Sequence, residues 1–278
     1  MKQLFTRNFT LLLLGQASSL LGNYTLRFAL SMFVLEETGS AATFAGILAV
    51  SMVPTILLSP LGGVLADRAN RRNIMVALDT LSGLAVLGAM ALFPLGDRVF
   101  LTGALLVILS VLGAFESPTV QACVPQMVEE SQLLRGNALV NQVSSLASLV
   151  TPFLGSLLYT AVGLSPIFLG TAVCFFLTAV LECFLRLGEQ PARPKESLGA
   201  ILKGDLAQGA RFLLREEPGI VKLLLLAALA SFFAAGTAVV GFPYLVRTVL
   251  GLSAELYGAA ESALGVAAIL GGVCVAAL

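Results

Sequence analysis

Apolar runs long enough to cross a membrane recur so often in this chain that few folds remain open to it. A helix needs about 20 mostly apolar residues to span a bilayer. Eight stretches of the 278 residues meet that length: 9–35, 43–66, 73–95, 99–121, 138–161, 165–185, 220–246 and 254–278. They are too long for membrane strands and lack the strict alternation a barrel requires. With 58% hydrophobic residues and only 12% charged, and a mean hydropathy of +0.95, the chain has lipid as its natural solvent. The expected fold class is an all-α membrane protein. The first run follows MKQLFTRNF and exceeds the apolar core of a signal peptide, so it reads as a first transmembrane helix.

The same composition closes off several chemistries. Histidine is absent, which removes the commonest metal ligand and the usual neutral-pH proton shuttle. Cys123, Cys174, Cys183 and Cys274 show no paired spacing, so no disulfide framework or zinc site is expected. Each reads as a small buried hydrophobe. There is no HExxH, no P-loop and no catalytic carboxylate pair, which argues against an enzyme or an ATP-driven pump. A formal net charge of zero gives no case for nucleic acid.

Orientation follows from where the basic residues fall. With the N-terminus inside, 13 of the 16 Lys and Arg lie on inner segments, and only Arg98 and Arg247 mark outer ends. Arg27 lies within the first helix. The expected organisation is an N-terminal six-helix bundle (1–185), a cytoplasmic linker (186–219) and a partial second bundle (220–278). In the linker, Leu198, Ile201, Leu202, Leu206, Phe212 and Leu213 recur at helical spacing. Ser197 is placed to cap an amphipathic helix on the membrane surface. Six helices, a linker and new helices is the plan of transporters built from two halves.

One loop carries more than its charge explains. GGVLADRANRRNIM (62–75) packs three arginines and an aspartate into 67–72. Its core, G-x-L-A-D-R-x-x-R-R from Gly63 to Arg72, resembles the loop 2–3 signature of the major facilitator superfamily. Asn70 stands where that pattern has glycine, and is expected to take a left-handed turn. NFTLLLLGQASSLLGN, ETGSA, SPTVQACVPQMV and LLRGNALVNQVSSLASLVTPFLGSLLY resemble, in order, bacterial macrolide-efflux-type permeases. The resemblance implies alternating access, proton-coupled efflux of drugs or other small molecules, and a location in the bacterial cytoplasmic membrane. It implies no cofactor, a proton gradient as energy source, a small-molecule substrate, and no nucleotide. It also implies that the chain holds about eight of twelve helices and stops within the eighth, leaving the rest to another chain if it transports at all. An importer, a lipid mover or a non-transporting fragment fits the same motifs.

Intramembrane polar groups are costly and are therefore functional candidates. The resemblance makes Gly63, Asp67, Arg68, Arg71 and Arg72 a cytoplasmic latch. Asp79 and Glu116 are expected to meet its arginines. Gly63 is expected to let helix 2 approach a neighbour. Gln16, Asn23 and Arg27 share one helix face and are expected to line a central cavity. Arg27 and Glu261 lie at similar depth and are expected to face that cavity and to pair, as a proton-coupling device without histidine. Glu182 and Arg186 read as a local i,i+4 pair. Pro152 and Gly155, in TPFLG, mark an expected kink in helix 5. Tyr244, Tyr257, Phe232 and Phe233 are candidates for lining a pocket. Gly258, Gly265 and Gly271 give helix 8 a small face for packing against helix 5.

Overall fold

The computed structural model describes residues 4–188, 204, 211–216 and 218–277. Six helices run back and forth in the first part: α1 (Arg7–Thr38), α2 (Ala41–Arg68), α3 (Arg71–Leu92), α4 (Arg98–Met127), α5 (Leu133–Val162) and α6 (Leu164–Cys183). Then come α7 (Pro218–Ala235), which continues through π-helical turns to Val249, and α8 (Ala254–Ala277). No strand occurs among the described residues. Most of the linker reading over 186–219, including Ser197 and most of its apolar stripe, lies outside the described residues. So does Gly271's environment.

The turns that start α2, α3 and α4 are short, and a side chain caps each of these helices. Gly39 closes α1 at φ 58°, a left-handed conformation that glycine adopts at no steric cost. Ser40 immediately caps α2, accepting from Thr43 N at 3.2 Å. Asn70 caps α3 by accepting from Asn73 N at 3.2 Å, and Asp97 caps α4 through Val99 N and Phe100 N. Such side-chain oxygens satisfy donors that the first helical turn leaves open. One end of the bundle therefore holds the α2–α3 turn, and the opposite end holds the α1–α2 turn.

Six of the described helical stretches are long and apolar enough to cross a membrane: α2 to α6 and the run Gly219–Val249. The expectation of eight differs at the two ends of the chain. The 32-residue α1 has the length, but Gln16, Ser18, Ser19, Asn23 and Arg27 break its apolar run. It lies along α6 and α5, while α2 lies along α4 and α3 bridges α4 and α6. In α8, part of the side-chain placement lies outside the described residues.

Two apolar layers hold the bundle. Leu26, Leu30, Val86, Leu105, Phe168 and Phe175 pack toward the α1–α2 end. Phe9, Leu12, Met75, Val120, Cys123 and Val124 pack toward the α2–α3 end. Outward faces are also apolar: Val50, Ile56, Leu57, Leu223 and Leu225 are exposed. Water would penalise that surface and lipid does not, while the helices keep their backbone groups paired internally.

Close approaches between helices rest on particular glycines. A Cβ at Gly62 would lie 2.4 Å from the Ala114 carbonyl oxygen, so α2 meets α4 backbone to backbone there. Gly63 faces open space. The expected close approach thus belongs to Gly62, one position earlier and about 100° around the helix. At Gly258 a Cβ would lie 2.4 Å from the Pro152 carbonyl oxygen, and at Gly265 it would meet Leu149 at 2.5 Å. This seats α8 on α5. Gly155 of α5 instead faces Phe28 of α1.

Candidate functional site

The cavity sits where α1 and α5 meet the second part of the chain. It has a volume of about 260 Å³ and is lined by Tyr24, Arg27, Thr151, Pro152, Tyr257 and Glu261, among others. Tyr257 is placed by stacking on Phe28, with ring centroids 5.6 Å apart. Arg27 Nε donates to Asn23 Oδ1 at 2.9 Å, one turn back on α1. Glu261 interacts with Tyr257, and its Oε2 has no partner.

Arg27 and Glu261 therefore face one cavity, but no ion pair joins them; the guanidinium is turned to Asn23. The expected polar stripe of α1 divides along its length. Arg27 lines the cavity, Asn23 holds it, and Gln16 is buried deeper in the bundle beside Glu116. Of the four aromatic candidates, Tyr257 lines the cavity, while Phe232 and Phe233 are exposed. Pro152 lies inside α5 and exposes its carbonyl to α8. A proline in this position cannot donate to the carbonyl four residues earlier, which leaves α5 a weak point facing the cavity.

At the α2–α3 end, Arg71 is the centre of the charged loop. Its Nε donates to the Ala66 carbonyl at 2.8 Å and its Nη1 to the Ala122 carbonyl of α4 at 2.6 Å. Its Nη2 lies 3.4 Å from Asp67 Oδ1. Arg71 thus ties the end of α2 to α4 through backbone oxygens. Asn70 takes φ −64°, so its role at the glycine position is a helix cap rather than a left-handed turn. Arg68 lines a crevice with Asn70 and Gln126, and Arg72 lines another with Cys183.

Asp79 and Glu116 do not meet these arginines. They turn inward to a polar layer between the two apolar ones, together with Ser19 and Glu182. Glu182 is likewise buried there, not paired with Arg186; the Arg186 backbone instead exchanges hydrogen bonds with Asn8. The reason is packing: α6 lies between α1 and α3, so its inner face carries Glu182 into the bundle.

A further contact has no sequence signal. At the opposite end, Arg247 pairs with Glu36 of α1. Glu36 also accepts from the Tyr159 hydroxyl of α5 at 2.6 Å, and Arg247 Nη1 donates to the Leu252 carbonyl at 2.6 Å. The pair joins the two parts of the chain across 211 positions.

Comparison with known proteins fits this geometry. The family model of the major facilitator superfamily matches residues 12–278. The chain belongs to the major facilitator superfamily. Macrolide efflux protein A of Streptococcus pyogenes is 29% identical over 224 residues, covering 78% of this chain and 54% of that protein. Multidrug efflux pump Tap of Mycobacterium bovis is 28% identical, covering 66% and 45%. The superfamily chain thus spans about half the length of the curated relatives it matches. The crystal structure of a D-xylose–proton symporter superposes with a TM-score of 0.67 at 14% identity, covering 93% of this chain and 65% of that one. The POT family transporter PepTSo gives 0.58 at 20% identity, covering 94% and 54%. These two likenesses carry the fold. Superfamily membership and the apolar helices make this a multi-pass membrane protein of a transporter family, not an enzyme.

Proposed function

We propose that this chain supplies the substrate cavity of a proton-coupled small-molecule exporter working by alternating access. It would lie in the bacterial cytoplasmic membrane with its N-terminus inside. The observation that carries the reading is the cavity between α1, α5 and α8, which holds one cation, Arg27, and one carboxyl group, Glu261, without joining them. A cavity at the meeting of two helix sets is where alternating access places its ligand. The named efflux relatives favour export of drug-sized molecules. The distribution of basic residues favours the orientation. The energy source in this reading is the proton gradient, with Glu261 as the group that exchanges a proton.

The test is drug accumulation in an efflux-deficient bacterium expressing the chain, using macrolides and fluorescent cationic dyes. Accumulation should fall, and a protonophore should restore it. Glu261→Gln keeps the shape and removes the titratable group, so any remaining efflux should lose its pH dependence. Unchanged accumulation with the protein in the membrane, or an unchanged pH profile in the variant, would sink the respective part.

In this orientation the Glu36–Arg247–Tyr159 contact closes the outer side. Ion pairs with this much exposure are worth about 1 kcal/mol or less, which shifts a two-state ratio by up to about fivefold. Arg247→Ala should therefore speed labelling of a cysteine placed at Ser31, in the cavity, by an external membrane-impermeant maleimide several-fold. Equal rates would count against a closing role.

A further inference from the structure

Between its two apolar layers the N-terminal bundle brings together three carboxyl groups from three helices: Asp79 of α3 and Glu182 of α6, both buried, and Glu116 of α4, which is half-buried. Asp79 is 0% exposed and Glu182 1%. Ser19 Oγ of α1 donates to Asp79 Oδ1 at 3.2 Å. That leaves Asp79 Oδ2 and both oxygens of Glu182 without a donor. Asp79 and Glu182 lie within hydrogen-bonding reach of each other. Two carboxylates only accept, so this contact becomes a hydrogen bond only when one of them carries a proton.

The usual remedy for buried carboxylates is a basic partner. Among the described residues none of the three takes part in an ion pair. The charged and titratable neighbours are few. From α3 and α4, Arg71 stops at the Ala122 carbonyl, and Cys123 neighbours both Arg71 and Glu182. From α6, Cys183 is the other titratable group near Glu182. From α1 come only neutral groups, Ser19 and Gln16. Gln16 is 6% exposed, reaches toward Glu116, and leaves its Nε2 without a well-formed partner. An unpartnered donor thus reaches into the layer that holds the unpartnered acceptors. No group of three or more metal-ligating side chains among the described residues is arranged to hold a metal ion.

We propose that Asp79, Glu116 and Glu182 form a proton-binding site inside the N-terminal bundle, separate from the cavity of Arg27 and Glu261. Protons taken from water and shared among the three carboxyl groups stand in for the absent basic partner. Each proton bound removes one negative charge from a layer that apolar packing closes on both sides. The Gln16 amide and the Ser19 hydroxyl hold the site's position on α1, the helix that also carries Arg27.

Infrared spectroscopy of the whole chain in phosphatidylcholine vesicles tests this directly, without any transport assay. The carbonyl stretch of protonated carboxyl groups should be present at neutral pH. It should be lost or strongly reduced in Glu182→Gln and Asp79→Asn, and kept in Glu261→Gln. Glu116→Gln, at the less buried of the three positions, serves if the first two variants fold poorly, and should also reduce the band. A wild-type chain with no such band at neutral pH overturns the proposal, as does a band that survives the well-folded cluster variants. A band that vanishes when sodium replaces potassium makes this a metal-ion site and overturns the proton assignment. The measurement stands whether or not drug efflux is observed, so the two readings fail separately.

Discussion

Replacing Gly62 by leucine should break the N-terminal bundle, whereas the same change at Gly63 should be tolerated by packing. The Cβ alone at position 62 would sit 2.4 Å from the Ala114 carbonyl oxygen and 3.0 Å from Phe115 Cα. Both are backbone atoms, so no side chain can turn away; α2 and α4 must separate. Overpacking of this kind costs about 3 kcal/mol or more. It falls on the most extensive helix contact of the bundle. At Gly63 nothing lies within 4 Å of an added Cβ. Thermal melts in detergent should show a large drop for Gly62→Leu and a small one for Gly63→Leu. Similar melts would mean that the α2–α4 approach is not as close as described.

Removing Arg71 should cost nearly as much. Its guanidinium donates to two carbonyls, Ala66 and Ala122, on different helices. Hydrogen bonds from charged groups contribute about 1.5–3 kcal/mol each, and Arg71 is only 12% exposed in its side chain. Arg71→Ala should lower stability by a few kcal/mol on that basis. Arg71→Lys should recover only part of it, because an ammonium lacks the planar fork that spans both oxygens. The melting temperatures should therefore rank wild type, Lys, Ala. Full rescue by lysine would show that charge alone, through Asp67, carries the contact.

Much of the fold was legible because a membrane helix announces itself by length and apolarity, and because Gly39, Ser40, Asn70 and Asp97 punctuate the turns. The family signature was legible as a string. What the string does not contain is rotation. Gly62 and Gly63 are adjacent, and only the position of α4 decides which one makes the close approach. Glu182 stands four residues before Arg186, so local spacing favours a surface pair; the placement of α6 between α1 and α3 turns it inward. Asp79 lies close in sequence to the arginine loop and Glu116 toward the same end of α4, but their helix faces point to the bundle interior. The Met75–Asp79–Ser82–Val86 face of α3 is a helical stripe that, read as one core face, would have placed Asp79 with the buried set. Glu36 and Arg247 offered no such clue, being separated by most of the chain.

The position of α1 has a consequence for how the protein is made. Its contacts run to the helix synthesised last in the bundle: Ser18 donates to the Cys174 carbonyl, and Thr171 and Thr178 donate to the carbonyls of Gly22 and Gly15. These partners lie roughly 150 residues downstream. Asp79, the partner of Ser19, arrives earlier, but its own neighbour Glu182 does not. Pairing over such separation is slow to form. Helix α1 is made before the five other helices of this bundle and waits for α6 to satisfy these contacts. It is also the most polar of the first six. Until α6 is complete, the polar groups of α1 that it will cover lack these partners, so the two helices are expected to become stable in lipid together.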